Sequence, residues 1–355
     1  MELEDLGFDD FFAEARSEAG LETYEVARVT KEHKERYTLH TGSDEYDGEI
    51  SGHLRFTAAE RSDFPAVGDW VVFLPFDGGM GIIHQILPRK TLLERQAVGK
   101  HGEKQIIAAN IDTAFIVQAA DRDFNLNRLE RYLTICLGAG ITPIILVNKI
   151  DLVEKTELDE MVESIEERIP NVPILLNSNE TEEGLDSLKA KIETGKTYCL
   201  IGSSGVGKST LVNKLSEADI LKTRDISDSN SKGRHTTSHR ELVVLGNGGI
   251  VIDTPGMREL GMTDNAEGIS QTFEQIEELA QDCKYSDCTH QQEEGCAVLE
   301  ALENNELDTS VFENYMKMQR EQFHFQATVA EKRKRDKSFG KMYRAVSKER
   351  KKNKY

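Results

Sequence analysis

The 355-residue chain has no apolar run near the ~18 residues that a membrane-spanning helix requires. Its first 22 residues carry eight acids and one Arg, the reverse of a secretory leader. A cytoplasmic protein with no membrane partner is therefore expected. Cysteine is scarce and odd in number, five in all, which argues against a disulfide scaffold, yet three of the five fall within fourteen residues. Net positive charge is missing too: 44 Lys and Arg oppose 63 Asp and Glu, giving −19 at neutral pH. A uniformly basic nucleic-acid coat is excluded. The balance is uneven, however, because residues 332–355 carry net +10 and the preceding 331 carry −29. Hydrophobic residues make up 38%, enough for more than one core at this length, so disorder throughout is excluded.

What is present divides the chain into stretches of different rhythm. Residues 1–22 form an acidic extension with interspersed Phe8, Phe11, Phe12 and Leu21, read as a frayed amphipathic helix or a disordered segment, with disorder or loose docking favoured. From Tyr24 to Leu87, five short alternating runs separated by turn residues, with no convincing helix, predict a small β-barrel or sandwich. From Asp112 onward, continuous apolar strands at Thr113–Val117, Ile144–Val147, Ile174–Leu176, Tyr198–Ile201 and Ile250–Ile252 alternate with helical patterns. That alternation predicts a parallel sheet covered on both faces. An acidic helix over Ser270–Leu279, the cysteine cluster and further helical pattern follow.

Gly202-Ser203-Ser204-Gly205-Val206-Gly207-Lys208-Ser209 fits G-x-x-x-x-G-K-[ST], with a strand before it and a helix after it. Glycines let backbone N–H groups wrap phosphates, Lys208 neutralises the β and γ oxygens, and the Ser209 hydroxyl is placed for Mg²⁺; Thr210 continues the loop. Asp253-Thr254-Pro255-Gly256 follows a buried strand. D-x-x-G is weak alone, but here Asp253 suits Mg²⁺ held through water and the Gly256 N–H suits the γ-phosphate. Asn148-Lys149-Ile150-Asp151 also follows a strand. The Asp151 carboxylate can accept both N1–H and the 2-amino group of guanine, a pair adenine does not offer. Asn148 can brace the loop and the Lys149 stem can lie along the base. Ser178, at the next strand end, is expected to present a backbone N–H to guanine O6.

The order of these elements is unusual: N-K-x-D, Ser178, P-loop, then D-x-x-G. Ras-like GTPases run from P-loop to D-x-x-G to N-K-x-D, so the order here is a circular permutation. Cys283, Cys288, His290 and Cys296 form a closed Cys₃His set suited to tetrahedral structural Zn²⁺, although the spacing departs from the commonest C-x2-C. Cys136 and Cys199 read as core residues.

The permuted motifs, together with Gly233-Arg234-His235-Thr236-Thr237 and the cysteine pattern, resemble the RsgA (YjeQ) family of circularly permuted GTPases, bacterial factors acting on the small ribosomal subunit. The resemblance implies a multidomain chain: an acidic extension (1–22), an all-β OB-fold barrel (23–95), a central α/β P-loop GTPase domain (96–262), a small mainly α zinc-binding domain (263–331) and a basic tail (332–355). It implies a monomeric hydrolase of GTP to GDP and phosphate that binds the small (30S) subunit and 16S rRNA and assists late maturation. Thr236 or Thr237 is expected to complete the Mg²⁺ shell. Met257 stands where many Ras-like proteins carry a water-orienting Gln, and a thioether cannot align water. Intrinsic hydrolysis should therefore be slow, with His235 or a partner group supplying what is missing. Two rivals stand beside this reading: a non-catalytic RNA-binding assembly scaffold ordered by GTP, and an ATP-using P-loop enzyme, which Asp151 argues against. For rRNA contact, Arg28, Lys31, Lys34, Arg36, Tyr37, Arg55 and Phe56 of the barrel are candidates, diluted by Asp44, Glu45, Asp47 and Glu49. The tail, with Lys332-Arg333-Lys334-Arg335 and Arg350-Lys351-Lys352, is the stronger one.

Overall fold

A computed structural model describes residues 1–33, 35–96, 104–216, 240–253, 265–327, 331 and 334. Strands β1 (Glu25–His33), β2 (Arg36–His40), β3 (Glu45–Ile50), β4 (Trp70–Phe76) and β5 (Met80–Ile86) close into a barrel in the order β1-β2-β3-β5-β4-β1. The β3–β5 pair is parallel and the others are antiparallel. This is the expected OB-like barrel. Alternate residues fill it: Ala27 and Val29, Tyr37 and Leu39, Val71 and Phe73, with Ile50 and Ile83. Closure removes the sheet edges that an acidic open sheaf of five short strands would leave exposed.

The acidic extension is ordered, contrary to the favoured expectation. A 3-10 turn (Glu4–Leu6) leads into helix α1 (Asp10–Glu18), and Leu6 and Phe12 are buried with Val26, Trp70, Val72 and Leu87 against the outside of the barrel. The Phe8 ring lies edge-on to Trp70 at 4.9 Å. Burying side chains of this size stabilises by about 1.5–3 kcal/mol each, enough to hold a charged nine-residue helix that has no other reason to form. A short helix α2 (Gly52–Thr57), capped by the Ser51 hydroxyl, interrupts the barrel between β3 and β4, where no helix was expected.

A β6–β7 hairpin (Leu92–Gln96, Lys104–Ala109) leads into the α/β region. There β8 (Thr113–Ala119), β9 (Thr142–Asn148), β10 (Ile174–Asn177), β11 (Thr197–Ile201), β12 (Arg240–Val244) and β13 (Ile250–Asp253) lie in the order β10-β9-β8-β11-β13-β12. Helices α3 (Leu126–Gly138), α4 (Lys155–Arg168), α5 (Leu185–Lys189) and α6 (Lys208–Ser216) cover it. Along β8, Ala114 and Ile116 join one core while Phe115 and Val117 join the other, which is why the strand reads as continuously apolar. The sheet is not wholly parallel. Strand β12 runs antiparallel to β13 and also pairs with β1 through Lys31↔Glu241 and Glu32↔Arg240, so barrel and α/β sheet are continuous.

The expected acidic helix is two, α7 (Ala266–Thr272) and α8 (Glu274–Ala280), followed by α9 (Ala297–Glu303) and helical backbone over 309–327. Ile269, Phe273, Ile276, Val298, Ala301, Leu307, Tyr315 and Met318 form their core. This unit packs on α3. A Cβ on Gly268 would lie 2.1 Å from the Thr134 carbonyl, so only glycine permits the approach of α7 to α3.

Candidate nucleotide site and metal centre

The loop 202–207 leaves the C-terminal end of the central strand β11 and opens α6, so the N-terminal amides of that helix face the loop's concavity. Its glycines are required by space and conformation. A Cβ on Gly202 would sit 2.2 Å from the Val117 carbonyl, and one on Gly207 would sit 2.4 Å from Asn148 Nδ2; Gly205 and Gly207 have φ of +86° and +99°. Val206 is buried and anchors the loop in the core. Lys208 Nζ donates to the Gly202 carbonyl at 2.7 Å and the Ser203 carbonyl at 2.5 Å, which holds the ammonium over its own loop. Ser204 and Ser209 are exposed there, with Thr210 half-buried beside them.

Asn148 is fully buried at the end of β9, and its Nδ2 donates to the Val206 carbonyl at 2.7 Å. This bond ties the N-K-x-D segment to the P-loop directly. Lys149 takes φ +62°, and its ammonium pairs with Asp121 at 3.1 Å. Ile150 is buried while Asp151 is exposed, the division expected if only the carboxylate serves a ligand. The Ser178 hydroxyl donates to Asp151 Oδ1 at 2.5 Å and accepts the Glu180 and Thr181 N–H groups at 3.1 Å. Ser178's own N–H is donated to the Glu183 carbonyl at 2.9 Å. The expectation that this N–H serves guanine O6 is therefore corrected: the amide closes its own turn, and the hydroxyl positions Asp151 instead.

Two organising residues escaped the sequence reading. Asn177 Nδ2 donates to Asn148 Oδ1 at 2.7 Å and to Asn179 Oδ1 at 3.0 Å, while Asn179 Nδ2 donates to the Gly207 carbonyl at 3.0 Å. This chain of side-chain amides joins the base-side loops to the phosphate loop at 0% exposure for Asn148 and Asn177. The sequence signal was available in Asn177-Ser178-Asn179, but its spacing resembles any polar turn. Asp253 ends β13, where its backbone pairs with Glu241. His235, Thr236, Thr237, Gly256 and Met257 lie outside the described residues.

Cys283, Cys288, His290 and Cys296 converge, with all four ligand atoms within 4.8 Å of one another. Cys283 Sγ is 3.7 Å from His290 Nδ1, and His290 Nδ1 is 3.4 Å from Cys296 Sγ. Burial opposes the Cys283 thiolate, yet the Val298 and Ala297 N–H groups at the start of α9 carry the thiol below its ordinary pKa. Burial lowers the pKa of His290 and so favours the neutral ring that a metal requires. The Glu293 carboxylate accepts the Thr289, Gln291 and Gln292 N–H groups at 2.9–3.1 Å, fixing the loop around His290, whose φ is +56°. A closed set of three sulfurs and one nitrogen suits structural Zn²⁺ and leaves no ligand position for chemistry. Cys136 and Cys199 are buried core thiols as expected, and burial pushes Cys199 up to about 12.

Of the expected barrel contacts, Arg28 and Tyr37 are buried and are not surface candidates. Arg28 Nη2 donates to the Asn110 carbonyl at 3.2 Å and to Thr197 Oγ1 at 2.8 Å, Nε to the Gly68 carbonyl at 3.3 Å, and Nη1 to the Leu6 carbonyl. It locks extension, barrel and β11 together. Lys31 pairs with Glu241 and Arg55 with Glu35, each at 2.8 Å, while Arg36 is exposed and Phe56, 90% exposed, and Phe76 are open aromatics of the barrel region. Lys34 and nearly all of the tail 332–355 lie outside the described residues.

A phosphate loop bonded to an N-K-x-D loop, at the carboxyl ends of an α/β sheet, in permuted chain order and joined to a β-barrel, defines a circularly permuted P-loop GTPase. The comparisons agree. The RsgA GTPase family model matches residues 86–263. The small ribosomal subunit biogenesis GTPase RsgA 1 of Bacteroides thetaiotaomicron is 41% identical over 90% of both chains. YjeQ from Thermotoga maritima superimposes with a TM-score of 0.63 at 28% identity, covering 84% of this chain and 98% of that one. YloQ, described as a circularly permuted GTPase, gives 0.61 at 26% identity, with 84% and 95% covered. The chain belongs to the RsgA GTPase family and is a GTP hydrolase.

Proposed function

We propose that the chain binds GTP across the β8, β9, β10 and β11 strand ends and hydrolyses it while docked on the small ribosomal subunit, assisting that subunit's late maturation. The Asn148–Val206 bond carries the site reading, since it sets base and phosphate loops at one fixed spacing. The relatives' names carry the ribosomal destination. Asp151, held by Ser178, accepts guanine N1–H and the 2-amino group. Asn179, next in the turn, supplies the N–H for O6 in place of Ser178. Gly202 to Gly207 wrap the phosphates with their amides, and Lys208 adds a fixed positive charge. Ser209, Asp253 and one of Thr236 and Thr237 hold Mg²⁺, which when bound neutralises charge on the β and γ oxygens. Gly256 meets the γ-phosphate, and His235 orients the attacking water in place of the residue that Met257 does not provide. Zn²⁺ on Cys283, Cys288, His290 and Cys296 staples the C-terminal helical unit and takes no part in the reaction. The domain boundaries at 22, 95, 262 and 331 follow the same reading, as do 16S rRNA contact, a monomeric state and a cytoplasmic location; among the described residues no helix is long and apolar enough to cross a membrane.

The test is GTP turnover as purified small or large subunits are added. Slow basal turnover that rises with small subunits alone is the expected result. Single-turnover hydrolysis unchanged by either subunit overturns the coupling to the small subunit, absence of hydrolysis under every condition would leave a GTP-ordered scaffold, and a His235→Ala variant with full stimulated turnover removes His235 from the proposal.

A further inference from the structure

Resting on the reading of 202–210 as the triphosphate cradle, we infer that Arg128 of α3 is a positioning residue of that cradle, acting through Ser203 on the ammonium of Lys208. Asn125 caps α3 by accepting the Arg128 N–H at 2.9 Å, which places Arg128 in the first turn of the helix. Its Nη1 donates to Ser203 Oγ at 2.7 Å, to Asp123 Oδ2 at 2.6 Å and, more weakly, to the Asp123 carbonyl at 3.4 Å. Tyr132, one turn further along the helix, is buried. The first turn of α3 thus grips one hydroxyl of the phosphate loop.

That grip reaches the chemistry through the backbone. The carbonyls of Gly202 and Ser203 take two of the three N–H donors of Lys208, so the peptide that the hydroxyl anchors sets where the ammonium sits. Stability alone does not account for the contact. Helix α3 is already capped by Asn125 and buried along its other face, and the Arg128–Asp123 pair, with side chains 31% and 47% exposed, is of a kind worth at most about 1 kcal/mol. A small residue at position 203 would fill the loop equally well; a hydroxyl there is needed only if something holds it.

The experiment is a double-mutant cycle on the full chain, R128A against S203A, read by titration with fluorescent GTP and GDP analogues, by guanosine-over-inosine triphosphate preference and by thermal midpoint. Loss of a charge-assisted bond predicts about tenfold weaker binding of both nucleotides in each single variant. The double variant should be no weaker than the singles, with midpoint and guanine preference at wild-type values, because Asp151 is untouched. Additive losses, wild-type affinity in both singles, or losses that track a lowered midpoint would each overturn the assignment. Failure of the underlying nucleotide site reads differently: the wild-type chain would not bind GTP, or Lys208→Ala would bind as well as wild type.

Discussion

At the scale of single residues, the site divides labour between groups that meet a ligand and groups that hold those in place. Asp151 is exposed, yet its Oδ1 is held by the Ser178 hydroxyl, so the carboxylate is already oriented for the guanine contact proposed for it. Replacing Asp151 by Asn exchanges an acceptor for a donor at the 2-position. GTP affinity should fall about 100-fold, the cost of two bonds to a charged group, while xanthosine triphosphate affinity rises. Competition titration checks this, and unchanged GTP affinity would remove Asp151 from the base site. Ser178→Ala should cost less, about tenfold, because it loosens the carboxylate without removing it. Asp151 stands out as a candidate in the sequence because N-K-x-D follows an apolar strand. The role of Ser178 was not, because whether its amide or its hydroxyl does the work depends on a turn closed by Glu183.

At the scale of elements, α3 touches both the phosphate loop and the C-terminal helical unit. Its first turn grips the phosphate loop, while Arg131 forms a two-bonded ion pair with Glu321 at 2.7 and 3.1 Å. Glu130, 2% exposed, pairs with Arg168 at 2.7 Å, and Arg168 reaches Ser310 at 2.6 Å. The C-terminal helical unit that carries the Cys₃His quartet is therefore fastened to the helix beside the phosphate loop, in addition to its covalent link after Asp253. Helix α1 gives an element-scale test, since Trp70 is the single tryptophan and lies against Phe8 and Phe12. Phe12→Ala should cost about 3 kcal/mol of α1 docking. Red-shifted tryptophan emission and faster hydrogen exchange over residues 4–18 would register it, and unchanged emission would deny the docking its proposed basis.

For the whole molecule, the charge distribution constrains the partner. A body of net −29 repels any polyanion over most of its surface, so the proposed rRNA contact would belong to local basic elements, chiefly residues 332–355. Deleting that tail should weaken small-subunit binding and flatten its salt dependence while leaving GTP affinity intact; an unaltered salt slope would move the contact elsewhere. The proposed zinc staple belongs to the same scale. Chelation should lower the thermal midpoint and release about one zinc per chain, since one quartet of ligands converges among the described residues. Metal-free protein of unchanged midpoint would show that the helices 266–327 hold without their staple.

The sequence determined the GTPase class and the convergence of the Cys₃His quartet, because phosphate loops, N-K-x-D loops and metal-ligand sets need fixed residue types at short spacing, and such spacing survives in one dimension. It also determined the parallel core, whose strands are buried on both faces and so read as apolar runs. Tertiary structure alone decided the rest. Arg28 reads as a surface cation until Leu6, Gly68, Asn110 and Thr197 are seen to surround it. The acidic extension reads as disordered until Trp70 offers its Phe residues a place to be buried. Asn177 and Asn179 are ordinary turn residues until the sheet brings them beneath Gly207 and Asn148. In each case the partner lies far away in the chain, and a side chain's role follows from what desolvates it, which neighbours in sequence do not specify.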